Sequence, residues 1–188
     1  MRIAQVAPLF ESVPPRFYGG TERIVSYLTE ELVRLGHDVT LFASGDSVTS
    51  ADLASCAPMA LRLNRFVRDP IPYFMLMMGR VAERAAEFDV IHFHIDQFQF
   101  PMFRSMAGRT VTTLHGRQDC PDLKALYARF VNVYRSLLRK QSKLVDALAP
   151  SLSPSLPDAR MIGHGLPRLT AIPVRNRRAL RISRSTQG

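Results

Sequence analysis

The sequence has few cysteines and no long apolar run. It contains only two cysteines, Cys56 and Cys120, which argues against a disulfide-stapled secreted scaffold and favours a reducing cytosol. The apolar amino terminus is interrupted by Gln5 and Pro8, which makes it too short for a signal-peptide core. No stretch approaches the roughly 18–20 apolar residues of a membrane span. We therefore expect a soluble, cytoplasmic protein without a transmembrane segment, and a peripheral membrane contact stays open.

Acidic and aromatic residues are scarce in the last part of the chain. Residues 131–188 contain 11 of the 25 basic side chains, only 2 of the 16 acidic ones and none of the 11 phenylalanines. Charges balance over residues 1–130, so the net charge of +9 comes entirely from the later segment. We expect one domain over residues 1–130 and a basic, poorly ordered linker or tail over residues 131–188. This tail lacks interleaved aromatics and any known module, so we expect no specific nucleic-acid binding.

Residues 1–130 alternate between strand and helix patterns. A buried strand over residues 3–7 precedes an amphipathic helix over residues 21–36 and a second strand over residues 37–44. The pattern continues with a helix at 71–88, strands at 89–95 and 109–116, and a helix at 121–130. Such βαβ units imply parallel pairing. The predicted fold class is α/β, a Rossmann-like doubly wound parallel sheet.

The first predicted helix has signals for both ends and apolar residues at helical spacing. Thr21 is the expected N-cap, and Gly36 is the expected stop at the carboxyl end. The apolar residues that recur at helical spacing are Ile24, Leu28, Leu32 and Leu35.

Two glycines lie between the first predicted strand and the first helix. Gly19 and Gly20 would let a ligand approach the backbone closely, and Glu22 lies in the first helical turn. Free N–H groups at a helix start can hold phosphate or sugar oxygens. A plain turn is the alternative interpretation, and the dinucleotide fingerprint G-x-G-x-x-G is absent from this position. The cluster is a candidate binding loop but not a dinucleotide site.

Histidines end two later predicted strands. His92 and His94 share one face of a strand and Asp96 follows them, which raises zinc as one interpretation. Because no third ligand occurs at motif spacing, hydrogen-bonded structural histidines or a polar cleft wall are favoured. At the end of the next strand, His115 is placed either to contact a bound sugar or to cap the following helix. We expect no metal and no cofactor.

Three blocks of the sequence resemble a known family. Residues 1–47, 88–96 and 110–117 resemble, in this order, the amino-terminal half of bacterial family 4 glycosyltransferases. The resemblance implies the GT-B architecture, in which two Rossmann-like domains face each other across a cleft. It also implies that this domain mainly holds the sugar acceptor, while the other domain holds the nucleotide-sugar donor. It further implies a retaining reaction that usually needs no metal.

The resemblance also implies roles for individual residues. Gly19, Gly20 and Glu22 match the loop that meets the acceptor and the donor's phosphates. His115 matches the cleft histidine that contacts the transferred sugar, and it is the candidate catalytic residue. The full set of candidate substrate-binding residues is Gly19, Gly20, Glu22, His94, Asp96 and Arg117.

The resemblance breaks down in the basic segment. Residues 134–146 replace a family strand, and residues 163–167 restore a linker-like sequence that no donor domain follows. One codon choice for residues 179–186, read one base later, encodes the family's next strand and suggests a frame error. We therefore expect a truncated fragment that is inactive alone, since the charges that stabilise a departing nucleotide diphosphate lie in the donor domain. A free-standing module that binds sugar or phosphate ligands, or half of a split transferase, is the alternative.

Overall fold

The strands of the computed structural model form one parallel sheet within the described residues, 1–117 and 119–130. They are β1 (Arg2–Val6), β2 (Asp38–Ser44), β3 (Asp52–Ala57), β4 (Val90–Phe93) and β5 (Thr110–Thr112). Their spatial order is β3-β2-β1-β4-β5, and all neighbours run parallel. The order reverses between β1 and β4, as in doubly wound α/β proteins. The predicted fold class is confirmed, whereas the prediction for residues 131–188 lies outside the described residues.

Helices cover both faces of this sheet. They are α1 (Gly20–Arg34), α2 (Ile71–Glu83) and a short α3 (Leu123–Arg129) after β5. Leu41 of β2 packs in one apolar cluster with Val25 of α1. The next residue, Phe42, packs in the other cluster with Met77 of α2. Because consecutive strand residues point to opposite faces, α1 and α2 lie on opposite sides of the sheet. This explains why β2 is buried along nearly its whole length.

The buried face of α1 differs from the set of apolar residues at helical spacing. Its buried residues are Glu22, Val25, Ser26 and Thr29. Of the apolar residues at helical spacing, Ile24 and Leu35 are 51% and 53% exposed, and Leu28 and Leu32 are half-buried. Small side chains such as Ser26 let the helix approach the sheet closely. Close packing of this face therefore has a larger effect on which residues are buried than the hydrophobicity of single side chains. Ile24 instead borders a pocket at the end of the sheet.

The predicted start signal of α1 was wrong, and the predicted end signal was right. Gly19, not Thr21, is the N-cap, and Thr21 lies within the first turn. At the other end, Gly36 has a φ of 80°, and its N–H donates to the carbonyl of Val33 at 2.9 Å. The N–H of His37 donates to the carbonyl of Leu32 at 3.1 Å, which completes a Schellman motif. The predicted glycine stop is confirmed.

Three other boundaries differ from the predictions. The edge strand β3 was not predicted, because its half-exposed sequence lacks a clear apolar alternation. Helix α2 ends at Glu83, and a short 3-10 turn at Ala85–Glu87 follows. Strand β5 ends at Thr112, which leaves the next four residues free to form a loop. None of the helices in the described part of the chain has the length and apolar character that a membrane span requires.

Candidate functional site

A pocket of about 540 Å³ opens at the carboxyl edge of the sheet, where the strand order reverses. Ligands of doubly wound folds bind at this position, because loops from neighbouring strands diverge there. Six of the seven candidate site residues line the pocket, namely Gly19, Gly20, Glu22, His94, Asp96 and His115. Arg117 does not line it, since its exposed guanidinium pairs with Asp119 at 2.8 Å. The structure thus brings six candidates together, and their roles in binding stay predictions.

The two glycines at the start of α1 serve different purposes. A Cβ added to Gly19 would lie 2.7 Å from the Cβ of Pro15, so packing alone requires glycine there. A Cβ added to Gly20 would meet nothing within 4 Å, and Gly20 lines the pocket. A larger side chain at position 20 can therefore enter the pocket without disturbing the fold around it.

The carboxylate of Glu22 lies back over the start of α1. Its Oε2 atom is 2.9 Å from the position of a Cβ built on Gly19. Burial raises the pKa of Glu22, while its own backbone N–H and the charge of Arg62 act in the opposite direction. Because the positive end of the helix already faces a carboxylate, an uncharged hydroxyl suits this part of the pocket better than a second anion.

Hydrogen bonds connect the histidines of β4 and β5 to their surroundings. Nε2 of His94 lies 2.9 Å from Oε1 of Gln5, and Nδ1 of His94 lies 3.0 Å from Nε2 of His115. Nε2 of His92 lies 2.8 Å from Oγ1 of Thr113. Burial lowers the pKa of His94 and of His115, and it lowers the pKa of His92 to about 4. These contacts are those of hydrogen-bonded histidines, and the absence of a metal stays a prediction.

Asp96 holds the loop that carries His115. Its Oδ1 atom accepts hydrogen bonds from the backbone N–H groups of His115 at 2.7 Å and Gly116 at 3.1 Å. Asp96 has a φ of 52°, a left-handed conformation that aspartate tolerates better than most residues. The Asp96 carboxylate acts to raise the pKa of His115, but burial is the larger effect.

Sequence reasoning missed Arg62, which the structure places in the same pocket. Nη1 of Arg62 donates to Oε1 of Glu11 at 2.9 Å and to the backbone carbonyl of Tyr18 at 3.2 Å. Glu11 is 2% exposed, and its Oε2 atom has no partner among the described residues. Arg62 lies in the short 3-10 turn Leu61–Leu63, far from Glu11 in sequence, and no local motif marks either residue.

Three phenylalanines that were not predicted form an apolar side of the pocket. Phe10, Phe74 and Phe98 line it, with ring centroids 5.3 Å apart for the first two and 5.4 Å for the last two. Phe10 and Phe98 are 38% and 55% exposed. Exposed aromatic rings beside polar groups suit a sugar, because its C–H faces are apolar while its hydroxyls need hydrogen bonds.

The family of the chain follows from a match over most of its length. Residues 18–152 match the family model described as Glycosyltransferase Family 4. The chain belongs to this family. The predicted resemblance to this family is confirmed. The match includes the helix start at Gly20 and both histidine-bearing strand ends of the pocket.

A solved glycosyltransferase is similar to this family 4 domain. AviGT4, a glycosyltransferase involved in avilamycin A biosynthesis, is 26% identical, with a TM-score of 0.38. The similarity covers 61% of this chain and 32% of AviGT4, so the chain spans about a third of that protein. No curated protein matches the chain.

Proposed function

We propose that this family 4 domain forms the acceptor side of the cleft in a retaining, nucleotide-sugar-dependent glycosyltransferase. The charge of the pocket is the observation that carries this proposal. Among its described lining residues Arg62 is the only arginine or lysine, and it is already paired with Glu11, while the pKa of His94 and of His115 is lowered by burial. A nucleotide diphosphate needs several positive or N–H donor groups, whereas a sugar acceptor needs uncharged hydrogen-bonding partners. Most of the positive charge that the donor's diphosphate needs therefore comes from outside these residues.

The pocket residues divide the proposed task between them. Backbone N–H groups at the start of α1, beside Gly20, donate hydrogen bonds to oxygens of the acceptor. The rings of Phe10, Phe74 and Phe98 cover an apolar face of the sugar. His115 contacts the sugar that is being transferred. In the transfer, the oxygen of an acceptor hydroxyl forms a bond to the anomeric carbon while the bond from that carbon to the nucleotide diphosphate breaks. The departing diphosphate takes the electron pair of the broken bond and accepts the proton of the hydroxyl. We also propose a cytoplasmic location, which the free thiols of Cys56 and Cys120 favour.

Ligand binding by the 188-residue chain tests the proposal. The probes are a panel of monosaccharides and sugar phosphates on one side, and UDP and GDP on the other. We expect measurable binding of at least one sugar and no binding of the nucleotides at this pocket. Gly20→Val should weaken sugar binding about tenfold or more, which corresponds to about 1.4 kcal/mol, because the added side chain enters the pocket.

A matched substitution serves as the control. Gly79 of α2 also has nothing within 4 Å of an added Cβ, but it does not line the pocket. Gly79→Val should therefore leave sugar binding unchanged. Nucleotide binding that is lost in Gly20→Val and kept in Gly79→Val would place the donor site here and contradict the proposal, as would failure of every sugar to bind.

A further inference from the structure

A chain of hydrogen bonds links the interior of the sheet to the pocket. Gln5 lies on the central strand β1, His94 follows the neighbouring strand β4, and His115 follows β5. Gln5 and His94 are 1% and 2% exposed, whereas His115 is only half-buried and lines the pocket. The two contacts, Gln5 Oε1 to His94 Nε2 and His94 Nδ1 to His115 Nε2, measure 2.9 and 3.0 Å.

The amide oxygen of Gln5 sets the direction of this chain. A neutral imidazole has one N–H donor and one nitrogen acceptor. Because Oε1 of Gln5 can only accept, Nε2 of His94 carries the proton and its Nδ1 is an acceptor. Nε2 of His115 must then carry the proton that it donates to His94. Nδ1 is the remaining ring nitrogen of His115, and it is an acceptor.

We propose that Gln5 and His94 are positioning residues that keep the proton of His115 on Nε2 and present Nδ1 to the ligand as a hydrogen-bond acceptor. A sugar hydroxyl can donate to this nitrogen, whereas an ionised phosphate oxygen has no proton to donate. The side of the pocket at His115 therefore selects hydroxyl groups over anions. The identity of the ligand rests on the proposed function, but the proton position does not.

The neighbouring contact of His92 shows why Gln5 matters. Nε2 of His92 lies 2.8 Å from the hydroxyl of Thr113, which can either donate or accept. This pair leaves the proton position of His92 open, although His92 is also buried. The carboxamide oxygen of Gln5, at the inner end of the hydrogen-bond series, fixes the proton position of His94. Through His94 it also fixes the proton position of His115.

Nitrogen-15 NMR of the imidazole rings in the full chain tests the inference. We expect a single neutral form of His115 with its proton on Nε2 in the unchanged protein. Gln5→Met keeps the length of the side chain but removes the acceptor, which leaves the buried Nε2–H of His94 without a partner. The form with the proton on Nδ1 of His115 should then become populated. Thr113→Val removes the partner of His92 only and should leave His115 unchanged.

Sugar binding by the same variants measures the consequence. Gln5→Met should weaken binding of the sugar found in the panel about tenfold, and Thr113→Val should not. A proton on Nδ1 of His115 in the unchanged protein overturns the inference without any variant, as does an unaltered Nε2–H form in a folded Gln5→Met. Equal losses of binding in both variants would overturn the positioning role. If the NMR result holds but no sugar binds, the proposed function fails while the proton position stands.

Discussion

The rings of His92 and His94 are 6% and 2% exposed, and their centroids lie 4.1 Å apart. Two protonated imidazoles at this distance would repel each other strongly where water cannot solvate them. Burial therefore lowers the pKa of both rings, that of His92 to about 4. Both are neutral at pH 7, which lets Nδ1 of His94 accept a hydrogen bond from His115. At the scale of the residue, burial decides the chemistry of the site.

Acid should destabilise the fold through His92. Its pKa is about 4 in the folded protein and 6.5 in the unfolded chain, so the unfolded chain binds the proton first. The free energy of unfolding therefore falls as the pH drops from 6.5 towards 4, by up to about 3 kcal/mol from this residue. His92→Gln cannot titrate and should lose correspondingly less stability. Urea unfolding of both proteins at about pH 7 and about pH 4.5 measures the difference.

Measuring both proteins at two pH values separates the effect of titration from the effect of altered packing. A constant offset between His92→Gln and the unchanged protein reports only altered packing, since it does not depend on pH. An equal loss of stability in the two proteins over the acid window would contradict the assignment of that loss to His92.

At the scale of the element, α1 shows that amphipathic spacing does not identify the packing face. The apolar residues at helical spacing include Ile24 and Leu35, which are more than half exposed, whereas Thr29 is fully buried. Among the described residues the Thr29 hydroxyl has no hydrogen-bond partner. A buried polar group without a partner lowers the free energy of unfolding by about 1–3 kcal/mol. The buried hydroxyl of Thr29 therefore destabilises the packing of α1.

Replacing this hydroxyl should stabilise the protein. Thr29→Val keeps the shape of the side chain and removes the unsatisfied group, which should raise the free energy of unfolding by about 1 kcal/mol. Thr49→Val is the matched control, because the Thr49 hydroxyl donates to Oε1 of Glu30 at 2.6 Å. That substitution should lower the free energy of unfolding by about 1 kcal/mol. Urea unfolding measures both changes in the free energy of unfolding. If the two changes have the same sign, packing rather than hydrogen bonding determines the effect at position 29.

At the scale of the whole molecule, the pocket exists because three strand ends meet. The backbone N–H of His94 donates to the carbonyl of Val6, and that of Thr113 donates to the carbonyl of Phe93, both at 2.9 Å. These bonds extend the parallel pairing just beyond the strands and bring His94 and His115 together. The described residues that line this pocket include one arginine and no lysine, which supports the proposed acceptor role.

Transfer activity should depend on a second domain. We expect no sugar transfer by the chain alone from UDP- or GDP-sugars, and measurable transfer when residues 1–130 are fused to a donor domain of the same family. In the fusion, His115→Ala should lower kcat more than it raises KM, because its contact is with the sugar being transferred. Release of nucleotide diphosphate, coupled to product formation, measures both constants. Clear transfer by the unfused chain would place the donor site within this sequence and contradict the prediction.

The sequence predicted which residues meet at the edge of the sheet, while their roles stay predictions. Gly20 and His115 were identified because strand ends in parallel sheets converge, and this rule needs only the order of the elements. Arg62 and Glu11 could not be predicted as partners, because 51 residues separate them and neither belongs to a motif. The edge strand β3 was missed because one side of it faces solvent and its apolar pattern is weak.

What the sequence by itself determined is local. The periodicity of apolar residues predicted the strands and helices. Gly36 ends α1 through a backbone conformation that glycine adopts most readily. The order of the motifs identified the family. Tertiary structure alone decided which face of α1 is buried and that Gln5, His94 and His115 form one hydrogen-bonded chain. These contacts depend on the order and register of strands distant in sequence. The proton position proposed for His115 arises from the packing of three strands and from no single motif.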